Sequence, residues 1–161
     1  MIRPVELQDA AAISRIYNHY VKETTVSFET EPLTESGMAR RIASIAQHHP
    51  YFVHEDSDGE VTGYCYVHPW KERAAYDGTV ETTIYLKAGT EAHGTGTLLM
   101  ERLIAECRAR GYRVLIACVT AENAASVAFH KRIGFEQVSH FKNVGCKFGR
   151  LLDVVDLQCT L

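Results

Sequence analysis

No apolar run in this chain approaches the roughly 20 residues that a membrane-spanning helix needs, so no segment reads as a membrane span. No basic stripe exists either. The net charge is −3 with lysines and arginines dispersed, which argues against nucleic acid or an anionic membrane as the main partner. Cysteine is present but unpatterned: Cys65, Cys107, Cys118, Cys146 and Cys159 are odd in number, and no Cys-x-x-Cys occurs. Buried inert thiols are expected rather than disulfides or a metal site. The eight histidines show no His-Glu-x-x-His or other ligand spacing, so no metal is expected. Repeats, low-complexity tracts and long linkers are missing too, and 161 residues make one domain, residues 1–161, with a proper core. Met1 is followed by Arg3-Pro4-Val5-Glu6 and no apolar leader, so a cytoplasmic location is expected.

The most informative stretch present is Glu91-Ala92-His93-Gly94-Thr95-Gly96-Thr97. It follows a strand-like run at 80–86 and opens an apolar helix at 98–110. Glycines at a helix mouth let unshielded backbone N–H groups converge on one anion, and the helix dipole adds positive potential there. The spacing excludes two familiar loops. A P-loop needs Lys-Ser or Lys-Thr after its second glycine, where Thr97-Leu98 stands. A dinucleotide fingerprint needs a third glycine where Leu99 stands. A phosphate cradle and a plain strand-to-helix turn both remain open on spacing alone.

Periodicity organises the rest. Residues 2–5 read as an edge strand, with Pro4 tolerated there. Asp9 can cap a first helix whose Ile13, Ile16, Tyr17 and Tyr20 share one face. Thr34 starts a second helix with Met38, Ile42 and Ile45 inward. Strands at 51–55 and 61–67 flank Asp56-Ser57-Asp58-Gly59, a hairpin signal. A polar, aromatic loop at 68–77 precedes a strand at 79–86. Then come a helix at 97–110, a strand at 113–119, a helix at 122–133, a strand at 135–143 and a last strand at 151–157. Gly111 and Gly134 are C-cap glycines, and Arg108 and Arg110 complement the helix dipole. The order predicts an α+β fold (mixed α/β), a mostly antiparallel central sheet of about seven strands flanked by helices.

With these elements in place, the chain resembles the GNAT superfamily of acetyl-CoA-dependent acyltransferases. One block is the glycine loop; a second is Asn123-Ala124-Ala125-Ser126-Val127-Ala128-Phe129-His130-Lys131-Arg132-Ile133-Gly134-Phe135. Within that superfamily it looks most like the phosphinothricin and methionine sulfone N-acetyltransferases. The shared stretches are Asn18-His19-Tyr20, Thr25-Val26-Ser27-Phe28-Glu29-Thr30-Glu31-Pro32, Pro69-Trp70-Lys71, Ala75-Tyr76-Asp77, Thr79-Val80-Glu81 and Gly145-Cys146-Lys147-Phe148-Gly149-Arg150. They span almost the whole chain in order.

The resemblance implies a splayed opening between the fourth and fifth strands that receives the pantetheine arm of acetyl-CoA. Backbone groups of Ile84, Tyr85 and Leu86 would line that arm like a further strand. His93, Gly94, Thr95, Gly96 and Thr97 would hold the pyrophosphate, with Asn123 and Ser126 also contacting the cofactor. Asn123 reads equally well as a plain helix cap. Glu81, in an otherwise apolar and hydroxyl-bearing strand, matches the family's acidic base, and burial would raise its pKa for the task. An outward-facing strand carboxylate is its bland alternative. His130 stands where many relatives place a thiolate-protonating tyrosine; it could do that job, relay a proton, or only pack against the sheet.

Phe28, Arg73, Tyr76 and Thr82 are the expected acceptor contacts, with Arg73 able to grip a carboxylate bidentately. A solvated arginine and two core aromatics are the alternatives. The expected reaction is acetyl transfer to the primary amine of a small amino acid or analogue, such as phosphinothricin, methionine sulfone or methionine sulfoximine. A different amine, or a non-catalytic acyl-CoA sensor, are the competing readings. A homodimer is expected from the strand 151–157 and the turn 145–149, which resemble family elements near a subunit interface. Three positions depart from the pattern. Glu91 replaces Gln or Arg and sets a negative charge beside the expected pyrophosphate. Gly78 replaces a bulky side chain and Leu151 a common tryptophan, both on the expected acceptor side.

Overall fold

The computed structural model describes residues 1–90 and 94–161; Glu91 and His93, singled out above, lie outside the described residues. Three residues start the sheet, β1 (Ile2–Pro4), and a 3-10 turn at Leu7–Asp9 leads into α1 (Ala10–Glu23). Helix α1 buries Ile13, Ile16, Tyr17 and Val21 on one side, the 3.6-residue stripe that makes a surface helix stable. Asp9 does not cap it by side chain. Its carboxylate accepts from the Glu6 N–H at 2.8 Å and from the Arg3 guanidinium at 2.9 Å, so it closes the preceding turn and ties β1 to it. Helix α2 (Glu35–Ala46) is capped as expected, the Thr34 hydroxyl accepting from the Gly37 N–H at 3.0 Å. Met38 and Ile42 are buried, Ile45 partly so.

The hairpin β2 (Tyr51–Glu55) and β3 (Val61–Pro69) turns at Gly59, whose φ of 80° suits a residue without Cβ. Next come β4 (Thr79–Leu86), α3 (Thr95–Ala109), β5 (Val114–Thr120) and α4 (Ala124–Arg132). The strand expected at 135–143 is two: β6 (Glu136–Gln137) and β7 (Phe141–Lys147). The break has a local cause. The main-chain N–H of Val138 is drawn to Asp156 O, and Asn143 adopts a φ of 57° with its N–H donating to the Asp153 carboxylate. The last strand, β8 (Arg150–Thr160), runs longer than expected.

The sheet therefore has eight strands, in the order β1-β2-β3-β4-β5-β8-β6, with β7 paired to β8. Every pairing is antiparallel except β4 with β5. Period-2 alternation gives the sheet two apolar faces. Tyr51, Val53 and Tyr64 pack under α1 and α2. Phe52, Cys65, Val67, Val80 and Leu157 pack under α3, which contributes Leu99, Met100, Leu103 and Cys107. All five cysteines are free; Cys65, Cys107 and Cys159 are buried, but Cys118 and Cys146 are exposed.

Candidate active site

The site begins where two strands part. Strands β4 and β5 pair at Thr79–Val114, Val80–Leu115 and Glu81–Ile116, and no further. Beyond Glu81, β4 keeps only its β3 neighbour. The Lys87 N–H donates to Thr62 O and the Trp70 N–H to Thr79 O, so odd-numbered β4 residues spend their main-chain groups on β3. By the alternation of an antiparallel ladder, Ile84 and Leu86 turn theirs toward the gap. The Leu86 carbonyl accepts there from the Tyr20 hydroxyl at 2.7 Å.

A cleft of about 770 Å³ fills this gap, bounded by Ile84, Tyr85, Leu86, Gly94, Gly96, Thr97, Asn123 and Ser126, with Phe129 and Arg132 beyond. Helix α3 opens at Gly94, which takes a left-handed φ of 80° and has no side-chain cap. The first intrahelical bond runs from Leu98 N to Gly94 O, so the N–H groups of Thr95, Gly96 and Thr97 have no partner within the helix. These amides, with the helix dipole behind them, form an anion cradle. A Cβ added at Gly96 would meet Leu86 and Phe129 at 3.5 Å, so the glycine keeps the cleft wide. Asn123 unites both of its readings: its side chain accepts from the Ser126 N–H at 3.2 Å as a helix cap, and it lines the cleft.

A second cleft, of about 450 Å³, lies on the α1 side of the same strand. Glu81 and Thr83 reach it from β4, Cys118 and Thr120 from β5, Tyr17 from α1 and Tyr66 from β3; Ser27, Phe28 and Glu29 come from the crossing after α1. A smaller channel-like space of about 130 Å³ shares Glu81, Thr83 and Cys118 with the second cleft and Asn123 and Ser126 with the first, and Thr82 and His130 also border it. Val26 and Tyr85 border all three spaces. Tyr85 is held in a ring cluster, its centroid 5.1 Å from both Tyr17 and Tyr20.

Glu81 sits at the last paired position of β4. Burial raises its pKa above the ordinary carboxylate value; His68, when protonated, opposes the shift, and Asp156 adds to it. Cys118 beside it is reached by solvent through the cleft, yet its poorly solvated surroundings push its thiol up to about 12. It is an unreactive wall. Glu29 behaves differently: burial pushes its carboxyl up, but bonds from Arg41 and Tyr17 hold it below the usual value. The Arg41 guanidinium reaches Glu29 at 2.5 and 3.2 Å.

His130 lines the channel and is 3 % exposed. Burial lowers its pKa, so it is neutral near pH 7. Its Nδ1 donates to Ser126 O at 2.9 Å; that leaves Nε2 without a proton. It can accept a proton or pack between Phe129 and Phe135, but this tautomer has none to give a thiolate from Nε2.

Three of the residues expected to meet the acceptor do not line the second cleft. Thr82 points to the opposite face, its hydroxyl 3.4 Å from Ile116 O; it borders the channel but not the second cleft, whereas Thr83 borders both. Arg73 is exposed and, among the described residues, forms no ion pair; it and Tyr76 line neither cleft. The Tyr76 ring instead meets Trp70 edge-on at 5.3 Å. Gly78 does not enlarge the acceptor side. A Cβ there would lie 2.4 Å from the Arg113 guanidinium carbon, so the Arg113 side chain fills the space. Leu151 is 63 % exposed on the β7–β8 hairpin and lines neither cleft. Tyr17, Tyr66 and Thr120 were not foreseen as contacts. Ser27 and Glu29 flank the expected Phe28, and Thr83 could have been found by counting two residues from Glu81.

Comparison with known proteins agrees with this geometry. The chain matches the acetyltransferase (GNAT) domain model over residues 2–155. It is 35% identical over 161 residues to an L-methionine sulfoximine/L-methionine sulfone acetyltransferase of Pseudomonas paraeruginosa, covering 99% of this chain and 94% of the relative. It is 38% identical over 159 residues to a phosphinothricin N-acetyltransferase of Alcaligenes faecalis, covering 98% and 80%. Among solved structures, a phosphinothricin acetyltransferase from Sinorhizobium meliloti in complex with AcCoA superposes with a TM-score of 0.96 at 34% identity, covering 100% of this chain and 88% of that one. With a splayed strand pair, a glycine-opened helix and an acidic residue between two clefts, the chain belongs to the GNAT family and is an acetyl-CoA-dependent N-acetyltransferase.

Proposed function

We propose that the enzyme acetylates the primary amine of a small amino acid or amino-acid analogue of the phosphinothricin, methionine sulfone or methionine sulfoximine type. The observation that carries the reading is the position of Glu81, shared by the second cleft and the channel-like space that has Asn123 and Ser126 in common with the first. The freed edge of β4 would hold the arm of acetyl-CoA, and the amides of Thr95, Gly96 and Thr97 would hold its pyrophosphate. Acetyl-CoA supplies an activated acetyl thioester. The acceptor amine enters from the other side, past Tyr66, Thr83 and Phe28. Glu81, with its raised pKa, takes one ammonium proton, and the free amine attacks the thioester carbonyl directly; the C–S bond breaks, and the second proton shed by that nitrogen ends on the departing thiolate, leaving an amide and a free thiol. Arg73, on the loop that follows β3, is the proposed partner for the acceptor's carboxylate. It is exposed and unpaired among the described residues, and it follows by four residues the end of β3, the strand whose His68 pairs with Glu81.

The assembly we propose is a homodimer. The β7–β8 region exposes Phe141, Val144, Phe148 and Leu151, each 49–63 % accessible; such a patch marks an interaction surface. Leu151→Lys with Val144→Lys should turn a dimer into a monomer by light scattering, and a wild-type monomer at micromolar concentration would refute the assembly. No helix among the described residues is long and apolar enough to cross a membrane, consistent with the cytoplasmic placement proposed here. Acetyl-CoA turnover, read by a thiol reagent, should be strongest with amino-acid sulfones, sulfoximines or phosphinothricin. Preference for polyamines, aminoglycosides or peptides would overturn the acceptor assignment.

A further inference from the structure

Each turnover begins with an ammonium and ends with an amide and a free thiol, so one proton must reach bulk water. Glu81 takes that proton in the proposed reaction, and its carboxyl faces spaces that the acetyl-CoA arm and the acceptor would fill. A further way out runs along the sheet. His68 stands directly opposite Glu81 in the β3–β4 ladder. Its Nε2 lies 3.8 Å from the Glu81 carboxylate, its side chain is 35 % exposed, and it borders none of the three described spaces.

The other ring nitrogen fixes its chemistry. His68 Nδ1 is 3.0 Å from Pro69 O. A carbonyl only accepts, so Nδ1 carries the hydrogen and Nε2 of the neutral ring presents a lone pair to Glu81. The Tyr66 ring, 6.1 Å away by centroid, flanks the imidazole.

We propose that His68 is a positioning and relay residue that carries the proton from Glu81 to water. The inference rests on Glu81 being the base. The ammonium gives its proton to the Glu81 carboxylate. The neutral carboxyl passes it across a small closure of the 3.8 Å gap to His68 Nε2, regenerating the carboxylate. The imidazolium then releases a proton to solvent, and no other bond changes. The titratable groups around the pair are Tyr66 on β3, Cys118 on β5, Asp156 on β8 and His49 after α2. None of these offers another imidazole within ion-pair distance of Glu81 among the described residues.

The test is kinetic, on the full-length enzyme in dilute buffer. His68→Ala should lower kcat by about tenfold, at the lower end of proton-transfer contributions, with both KM values within about twofold and the melting temperature little changed. Added imidazole should restore kcat saturably in the variant and leave wild type unaffected. His68→Gln, which keeps the bulk and cannot titrate, should behave like His68→Ala. A wild-type kcat in either variant, or a loss that imidazole and other small buffers do not repair, overturns the relay. Glu81→Gln separates the two ideas. If that variant keeps full activity, the base assignment fails; if it is inactive and unrescued while His68→Ala is normal, the relay alone fails.

Discussion

The two clefts on either side of β4 are built in opposite ways. The larger one is assembled mainly from local backbone: a strand edge released by β5 and the first turn of α3, where Gly94 leaves amides unshielded. The smaller one, the proposed acceptor cleft, is assembled from side chains brought by six separate segments, Tyr17, Ser27, Tyr66, Glu81, Thr120 and Val154 among them. Backbone recognition tolerates most substitutions that preserve the fold, so it suits an invariant co-substrate. Side-chain recognition changes with single residues, so it suits an acceptor that differs between family members.

The segment after α1 belongs to both. Val26 borders all three spaces, and its neighbours are pinned from three directions. Lys147 Nζ donates to Ser27 O at 2.6 Å, the Thr120 hydroxyl to Thr25 O at 2.7 Å, and the Tyr17 and Ser27 hydroxyls are bonded at 2.8 Å. A cover fixed by so many bonds presents a preorganised wall, which spares ordering cost when the acceptor binds.

The largest expected effect breaks chemistry while sparing the cofactor side. Glu81→Gln keeps shape and removes the proton acceptor, so kcat should fall by roughly 10²–10⁴-fold while acetyl-CoA affinity by calorimetry stays unchanged. Near-full activity at neutral pH would remove Glu81 from the role. The complementary lesion is Gly96→Val. Branching beyond a Cβ already 3.5 Å from Leu86 and Phe129 crowds the cradle. Acetyl-CoA affinity should weaken by about tenfold or more, a loss of ~1.4 kcal/mol or greater. Overpacking should cost ~1–3 kcal/mol of stability. Unchanged affinity would place the pyrophosphate elsewhere.

A smaller effect sharpens the electrostatics of the acceptor side. The Asp156 charge helps raise the Glu81 pKa, so Asp156→Asn should move the acidic limb of the rate profile to lower pH. A move upward, or none, would show that this limb does not report Glu81.

The smallest effect concerns His130. Burial lowers its pKa in the folded protein below the ordinary value of 6.5, so the unfolded chain binds the proton first as pH falls. The stabilisation from a neutral His130 is therefore complete above pH 6.5 and drains as pH drops through the lower folded value. His49 and His54 are lowered too and act in the same direction. His130→Gln should make the melting temperature fall less between pH 7.5 and 5.5 than it does in wild type, and an equally steep fall would contradict the assignment. Carboxylates such as Asp9 and Glu29, held low by arginines, lose their contribution only at more acidic pH.

The larger cleft was largely legible beforehand because its signals are local. Gly94 and Gly96 stand beside a strand pattern and a helix pattern, and Asn123 three residues before Ser126 spells a cap. Strand and helix assignments survived wherever periodicity was clean. They failed at 135–143, where Asp153 and Asp156, far along the chain, capture backbone groups and break the strand. The space beside Gly78 was misjudged for a similar reason. A missing side chain leaves no mark of what moves in, and the occupant of the Gly78 space is Arg113.

By itself, the sequence determined the two-faced sheet, the glycine-opened helix and the acidic strand residue, since apolar period, backbone freedom and charge are carried by neighbours in the chain. Tertiary structure decided that β5 parts from β4 just after Glu81, that Glu29 is paired with Arg41, that Thr83 rather than Thr82 meets the acceptor cleft, and that His68 faces the base. These facts depend on register and on contacts between residues far apart in sequence, and such distances are set only when the whole sheet closes its ladders.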